Sequence, residues 1–505
     1  MFVLEALPEV ISAHVLITIL VGTLFGIITG AIPGFTVTMG VVLAFPFTFG
    51  MDEVQGIALI ISVLVGGYSG GVFASVLLGI PGTASSIATT LDGYPMAKQG
   101  AAGKAIGLAI LSCFFGNILG LAVLVIAAPV LAELSLLFGP WEISLLILAA
   151  LTLVGSLTGG QLVLGCISAG LGLLVATVGL SPDGALRFTF DITDLANGFD
   201  ILPVLVGAFA FSQLLSRAEE SRQSSGQDEA RMSGRISIPY RAVIRDAVTQ
   251  KLNFIRSSAI GAGIGALPAI GATTSTFVAY DSAKRTASDK ANFGKGDSRG
   301  LVSAETANNA TLGGVLIPTL TLGIPGDITM AIIFGVLLMY GIQPGPGLFT
   351  EQPILMGSIY ITLFIAGIVV VIAMLILARY MVNIMRVPTS LIVPIVLVLS
   401  SVGMFALNNR VFDITAMLIF GVLGYWMSRI GIPLTPLVLA VILGNELELN
   451  IVRAVQLDPS LTSFVTRPIS ASILGIILIV IITIAVRRAV RSRRDVMFGQ
   501  KNNSG

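Results

Sequence analysis

Long apolar runs separated by short polar or glycine-rich interruptions set the pattern of this chain. Ile106 to Leu131, Leu355 to Ala378 and Ile469 to Val486 each meet or approach the ~20 apolar residues that cross ~30 Å of hydrocarbon as helix. The pattern predicts an all-α polytopic membrane protein of about 10–12 membrane segments. Two interruptions share one tetrapeptide, Gly79-Ile80-Pro81-Gly82 and Gly323-Ile324-Pro325-Gly326. Neither permits continuous helix, because proline lacks the N–H and clashes with the preceding turn, while glycine admits the dihedrals of a stop and restart. Peptide groups freed at membrane depth must be buried in protein or line a water-filled cavity. Broken helices at matching places in two halves point to a transporter's binding site.

The first apolar stretch carries Gly22, Gly26, Gly30 and Gly34 at spacing four, ahead of Thr36 and Thr38. Such a ladder makes a flat helix face, suited equally to close packing and to sliding or substrate access. Pro33-Gly34 breaks that helix near its end. The run from Val54 to Gly82 is expected to be interrupted at Gly66-Gly67-Tyr68-Ser69-Gly70-Gly71. After the first tetrapeptide come Thr83, Ser85, Ser86, Thr89 and Thr90. Helix starts favour hydroxyls and offer unpaired N–H groups, so an anion can be held here without arginine; the plainer alternative is that these hydroxyls cap and back-bond a buried helix. Asp92 to Gly100 reads as a turn and surface loop, and Ser181 to Asp200 as a polar excursion containing Arg187-Phe188-Thr189-Phe190.

Composition fits a membrane protein: 55% of residues are hydrophobic and 11% charged, against about 25% charged in ordinary soluble domains. The net charge of +1 gives no bulk field for nucleic acid. Cys113 and Cys166 lie in apolar stretches, where a thiol is expected as a small core residue, and two such residues provide no disulfide framework. Met1 to Val15 lacks Lys and Arg, so a removable signal peptide is not expected.

Residues 216–256 change character, with eight Lys or Arg, five Asp or Glu, and the low-complexity stretch Ser221 to Ala230. Five arginines follow from Arg487 to Arg494. Basic loops near membrane ends mark the cytoplasmic side, which places linker and tail there and the N-terminus outside. The second half then repeats the first. Gly30-Ala31-Ile32-Pro33 recurs as Gly265-Ala266-Leu267-Pro268, Gly70-Gly71-Val72 as Gly313-Gly314-Val315, and, more weakly, Pro140 and Gly155 as Pro388 and Gly403. The expected organisation is a first membrane repeat at 1–215, a cytoplasmic linker at 216–256, a second repeat at 257–468, and a terminal helix with basic tail at 469–505. An odd-crossing half followed by its repeat implies two inverted-topology repeats with discontinuous helices. A re-entrant hairpin turning at Pro268 would keep the five basic residues of Lys284 to Arg299 inside.

Soluble-enzyme chemistry finds no support. Two Gly-x-Ser-x-Gly matches, at Gly67 and at Gly296, lack a base, because the only histidine is His14. Gly261-Ala262-Gly263-Ile264-Gly265 does not complete a dinucleotide fingerprint, and no phosphate-binding loop occurs. Glu305, Asn308 and Asn309 share a helix face and lead through Thr319 and Thr321 to the second tetrapeptide and Asp327. Asp327 is open to two readings, a helix N-cap or an ionisable functional group at membrane depth.

Gly79 to Gly100, Arg187 to Phe190, and the run from Gly265 through Phe293-Gly294-Lys295-Gly296, Glu305, Asn308-Asn309, Gly323 to Gly326 and Gly341-Ile342-Gln343-Pro344-Gly345-Pro346 resemble the large membrane subunit of the tripartite tricarboxylate transporter family, the TctA type. The resemblance implies a non-enzymatic subunit of a secondary transporter in a bacterial inner membrane. Its partners would be a small membrane subunit, a periplasmic solute-binding protein and an organic carboxylate such as citrate. The resemblance implies cation symport with sodium or proton, commonly sodium, and no cofactor besides sodium ions. The chain departs from the family pattern at Asp327, where a small residue is expected, and at Gln213, where an acidic one is. Gly82, Thr83, Ser85, Ser86, Thr89, Asn308, Asn309, Thr321, Pro325 and Gly326 are the expected substrate contacts. Gly34, Thr36, Thr273 and Asp327 are the expected cation-coupling positions. A channel or a non-transporting scaffold subunit is the alternative, and repeated breaks without a filter sequence favour the transporter.

Overall fold

The computed structural model describes residues 2–157, 162–223, 236–268, 270–381, 389–479 and 482. It is almost wholly helical. The first stretch holds α1 (Phe2–Val10), α2 (Ala13–Ala31), α3 (Val37–Ala44), α4 (Glu53–Leu77), α5 (Ile87–Met96), α6 (Ala102–Ser135), α7 (Pro140–Leu157) and α8 (Leu162–Ala176). After a short antiparallel hairpin of β1 (Gly179–Leu180) and β2 (Leu186–Arg187) come α9 (Ile201–Leu205) and α10 (Ser212–Gln223). The rest comprises α11 (Tyr240–Thr249), α12 (Lys251–Gly265), α13 (Gly271–Thr286), α14 (Ser298–Leu322), α15 (Ile328–Met339), α16 (Leu348–Glu351), α17 (Pro353–Leu377), α18 (Thr389–Asn408), α19 (Val411–Arg429), α20 (Leu434–Leu457) and α21 (Ser463–Thr466). Among the described residues six helical runs are long and apolar enough to cross a membrane, and shorter apolar helices accompany them. The protein is a multi-pass membrane protein.

Two compact units interleave along the chain: Met1–Ser135 with Phe199–Ile430, and Leu136–Gly198 with Gly431–Gly505. In the larger unit the same packing device occurs twice. Helix α2 lies on α4, where a Cβ at Gly26 would overlap the Val63 carbonyl and one at Gly70 the Ile27 carbonyl. Helix α12 lies on α14 in the same way, Gly261 against the Ala307 carbonyl and Gly314 against that of Ala262. Small residues let the backbones approach this closely, which is how helices associate where lipid offers no hydrophobic driving force. Helix α14 is the axis of the unit, buried from Gly300 to Thr321 and packed also on α6 and α13.

Two local expectations are corrected here. The glycine cluster from Gly66 to Gly71 does not interrupt its run, since α4 is continuous from Glu53 to Leu77. Gly66 and Gly70 serve the close approach of α2 instead, Gly67 faces Val37 of α3, and Gly71 faces Thr83 and Ser86. Asp92 to Gly100 is not a surface loop, because α5 runs to Met96 and a π-helical turn at Ala97–Ala101 joins it to α6, with Gly100 at φ 80°. The cause is Asp92, which is fully buried. One of its carboxylate oxygens accepts from the backbone N–H groups of Gly294, Gly296 and Asp297, each at 2.8 Å, and the other from the Tyr280 hydroxyl at 2.8 Å. A carboxylate with four donors is well satisfied in the interior, and it pins the loop between α13 and α14.

Within 216–256, α11 is an amphipathic helix packed on α6 through Val243 against Gly107, so much of this polar segment is ordered helix. Ser221 to Gln223 end α10; 224–235, which hold most of the low-complexity stretch, lie outside the described residues, as do Gly159-Gly160-Gln161, Pro388 and the arginines from Arg487 to Arg494. The terminal helix is described to residue 479. Around Pro268, α12 and α13 form a helix–break–helix pair whose arms pack on each other and on α14.

The smaller unit is built from α7, α8 and α20. Glu142, buried at the start of α7, accepts from the Gly139 N–H at 2.8 Å, Arg467 Nε at 2.8 Å and the Ser470 hydroxyl at 2.5 Å. Ser168 donates to the Pro433 carbonyl at 2.5 Å and accepts from the Leu437 N–H at 3.1 Å, fixing the start of α20 on α8. Arg187 of the hairpin pairs with Glu448 at 2.6 Å.

Candidate functional site

Four helix breaks lie in the larger unit: 32–36 between α2 and α3, 78–86 between α4 and α5, 266–270 between α12 and α13, and 323–327 between α14 and α15. The tetrapeptides turn by the same means. Gly79 has φ 70° and Gly323 φ 67°, a left-handed conformation that closes a helix at no steric cost only for glycine. Helix start chemistry then differs. Thr83 opens the Ala84–Ser86 turn with a capping box. The Thr83 N–H donates to Ser86 Oγ at 3.1 Å, and the Ser86 hydroxyl donates to the Thr83 carbonyl at 2.9 Å. Thr83 and Ser85 hydroxyls share a bond of 3.1 Å. All three residues are buried, and Gly82 sits against the Gly30 carbonyl and Gly71. At the second break Asp327 caps α15, accepting from the Met330 N–H at 2.9 Å, and also accepts from the Tyr68 hydroxyl at 3.3 Å.

A buried chain of polar contacts connects these two places. Thr89, on α5, donates to one carboxylate oxygen of Glu305 on α14, and the Cys113 thiol of α6 donates to the other at 3.8 Å. Asn309 donates from its amide to the Glu305 carbonyl at 3.1 Å, and its Oδ1 accepts from the Ser69 hydroxyl at 2.8 Å. Asn308 donates to the Tyr68 carbonyl at 3.0 Å, while its own buried Oδ1 has no bonding partner. Tyr68 then reaches Asp327. Threonine, glutamate, two asparagines, serine and tyrosine thus lead from the helix after the first break to the helix after the second. Glu305, Asn308 and Asn309 are each no more than 1% exposed.

The expected positions divide among these surroundings. Thr83, Ser85, Ser86 and Gly82 form the first break's turn, and Thr89 joins the chain through Glu305. Thr321 is buried away from it, donating to the Ile317 carbonyl at 2.7 Å. Pro325 and Gly326 are buried in the second break, with the Gly326 N–H 3.4 Å from Thr319 Oγ1. Thr36 caps α3 and donates to Gln213 Oε1 at 3.2 Å, beside exposed Gly34. Thr38, in the first turn of α3, shares a 2.9 Å bond with Thr329 in the first turn of α15, so the N-termini of those helices meet. Thr273 stands elsewhere, in the first turn of α13, the helix packed on the Ala84–Ser86 turn. Tyr68, Ser69, Thr38 and Thr329 are not among the site positions expected from sequence. Their signal is a hydroxyl set in glycine or aliphatic sequence, and the two threonines each follow a helix break by a few residues.

A family model described as the tripartite tricarboxylate transporter TctA family matches residues 16–439. The chain belongs to that family. It is similar to an Agrobacterium vitis protein described as an uncharacterized 52.8 kDa protein in the TAR-I ttuC' 3' region, at 32% identity over 485 residues, covering 95% of each chain. A second A. vitis protein, described as an uncharacterized protein in the TAR-II ttuC' 3' region, is 37% identical over 239 residues, 47% of this chain and 98% of its own length. No solved structure matches. This TctA-family chain is therefore a large transporter subunit and not an enzyme, and its family works as a tripartite system with further subunits.

Proposed function

We propose that the chain is the membrane-spanning subunit of a binding-protein-dependent importer of organic tri- or dicarboxylates, citrate-like in charge and size, driven by cation symport through alternating access. It sits in the bacterial inner membrane with a periplasmic N-terminus and cytoplasmic C-terminus, beside a small membrane subunit, and receives substrate from a periplasmic solute-binding protein. The two halves are inverted repeats, which the doubled α2/α4 and α12/α14 seams support.

The observation that carries this reading is the buried polar chain joining two dissimilar helix breaks. The first break has no charged side chain; the Ser86 hydroxyl closes its cap, and the remaining turn N–H groups with the Thr83–Ser85 hydroxyl pair suit a carboxylate. The second carries Asp327, with Thr329 beside it bonded to Thr38 of the 32–36 break, whose Thr36 in turn meets Gln213 Oε1; these oxygen acceptors suit a hard cation. The residues therefore fit sodium. Asn309, between them, couples the two. The test is uptake of labelled citrate and a dicarboxylate panel into vesicles holding this chain and its small subunit, with binding protein added, with and without a sodium gradient. Accumulation that needs both the binding protein and a cation gradient is expected. Uptake that only equilibrates, indifferent to either, would mean a channel.

A further inference from the structure

Glu305 is a carboxyl group without a counter-charge. It is fully buried in the N-terminal third of α14, and no Lys, Arg or His among the described residues pairs with it. Its side chain meets the Thr89 hydroxyl and the Cys113 thiol, with the Asn308 side chain one turn on also beside it. Ionisable groups on the packed helices are engaged with other partners: Tyr68 of α4 with Asp327, Asp92 of α5 with Tyr280 of α13 and the Gly294, Gly296 and Asp297 amides, and Arg256 of α12 with Thr286 and Asn253. Lys104 of α6 pairs with Asp246, and Asp281 with Arg285 on exposed α13 surface. Asp327 differs, since it caps α15 and the N-terminal dipole compensates a negative charge there.

An isolated ionised carboxylate at such a place is costly, and ionisable residues inside membrane bundles mark ion pathways and proton relays. The donors around Glu305 bear on which cation it holds. One of the groups around it is a thiol, a soft group that hard cations do not select, whereas a proton needs only the carboxyl oxygen itself. The position suits coupling: Glu305 ties α5, which follows the first break, to α14, which leads into the second, and its carbonyl holds Asn309. We infer that Glu305 is a proton-binding site of the transport cycle, taking up one proton with the carboxylate on one side and releasing it on the other. The inference rests on the transporter reading above and adds a proton to whatever cation occupies the second break. An O–H bond forms on the Glu305 carboxylate and later breaks, with no change in electrons.

Two measurements test it. In infrared difference spectra of the purified wild-type subunit and Glu305→Gln, a protonated-carboxyl C=O band that shifts in D2O is expected in the wild type at neutral pH and lost in the variant. An unchanged band would overturn the assignment whether or not any carboxylate is transported. In vesicles with the small subunit, binding protein, equal sodium on both sides and an internal pH dye, wild type should acidify on carboxylate entry under an imposed pH gradient. Glu305→Gln should lose at least 10-fold in this signal and in accumulation while keeping substrate exchange at equal concentrations; Glu305→Asp should restore part of both. Wild-type proton flux in Glu305→Gln would also overturn it. If that variant is not recovered, Cys113→Ala, which removes one donor, should displace the pH midpoint of uptake, and an unmoved midpoint counts against the site.

Discussion

The two Gly-Ile-Pro-Gly breaks use one backbone solution and two different chemistries. Both stop a long buried helix with a left-handed glycine. The first restarts on hydroxyls that satisfy one another, Thr83 with Ser86 and Ser85. The second restarts on a carboxylate, Asp327, tied across to Tyr68 of the other half. One backbone turn thus carries two different caps, and only the second cap is a carboxylate.

The largest effect should come from the seams that position both breaks. Gly26→Leu and Gly261→Leu each force a side chain into a facing carbonyl; overpacking of this kind costs about 1–3 kcal/mol or more. Both should abolish recovery of monodisperse protein from the membrane, measured by fluorescence-detected size exclusion. Tolerance in one pair alone would show that the halves do not share the device.

Charge at the first break comes next. Thr83→Asp keeps a good N-cap but sets an anion where a carboxylate is proposed to bind. It should raise the half-saturating substrate concentration by at least ~10-fold, about 1.4 kcal/mol. The mirror change, Asp327→Asn, also keeps a cap; it should leave the melting temperature nearly unchanged while raising the cation concentration needed for half-maximal uptake several-fold. Unaltered ion dependence would remove Asp327 from coupling. Ser86→Ala removes one member of the capping box and should cost about 1 kcal/mol, read as a lower melting temperature with uptake reduced. Normal uptake would leave its hydroxyl a cap alone.

The smallest effect lies outside the membrane. Arg299 hydrogen-bonds Asp289 and holds its carboxyl below the usual range. A depressed pKa contributes stability that is present above the unfolded value and is lost as pH falls through the folded one. Asp289→Asn should therefore lower the melting temperature slightly at neutral pH, and the difference should vanish in acid. A difference that grows on acidification would contradict the sign.

Much of this architecture is legible in residues alone. The proline-glycine tetrapeptides mark where helices stop, because no packing can restore a missing N–H. The family run from Gly265 to Gly345 is read directly. Tertiary contacts decide the rest. Gly66 to Gly71 looks like a break in isolation and is helix because α2 fills the flat face. Asp92 looks like a turn residue and is a buried pin because its donors lie about two hundred positions away in sequence. Tyr68 and Ser69 belong to the polar chain only through α14, a relation that no local pattern carries.

The central claim is that both breaks serve one carboxylate-dependent site. It is tested most directly by substrate protection of two single cysteines, Ala84→Cys at the first break and Ile328→Cys at the second, with exposed Cys166 replaced by serine. Vesicles are treated with a thiol reagent over a range of citrate and dicarboxylate concentrations. The account predicts that carboxylate changes the labelling rate at both positions with the same half-effective concentration. Labelling at both positions that ignores carboxylate, or a response at one with none at the other, would contradict it.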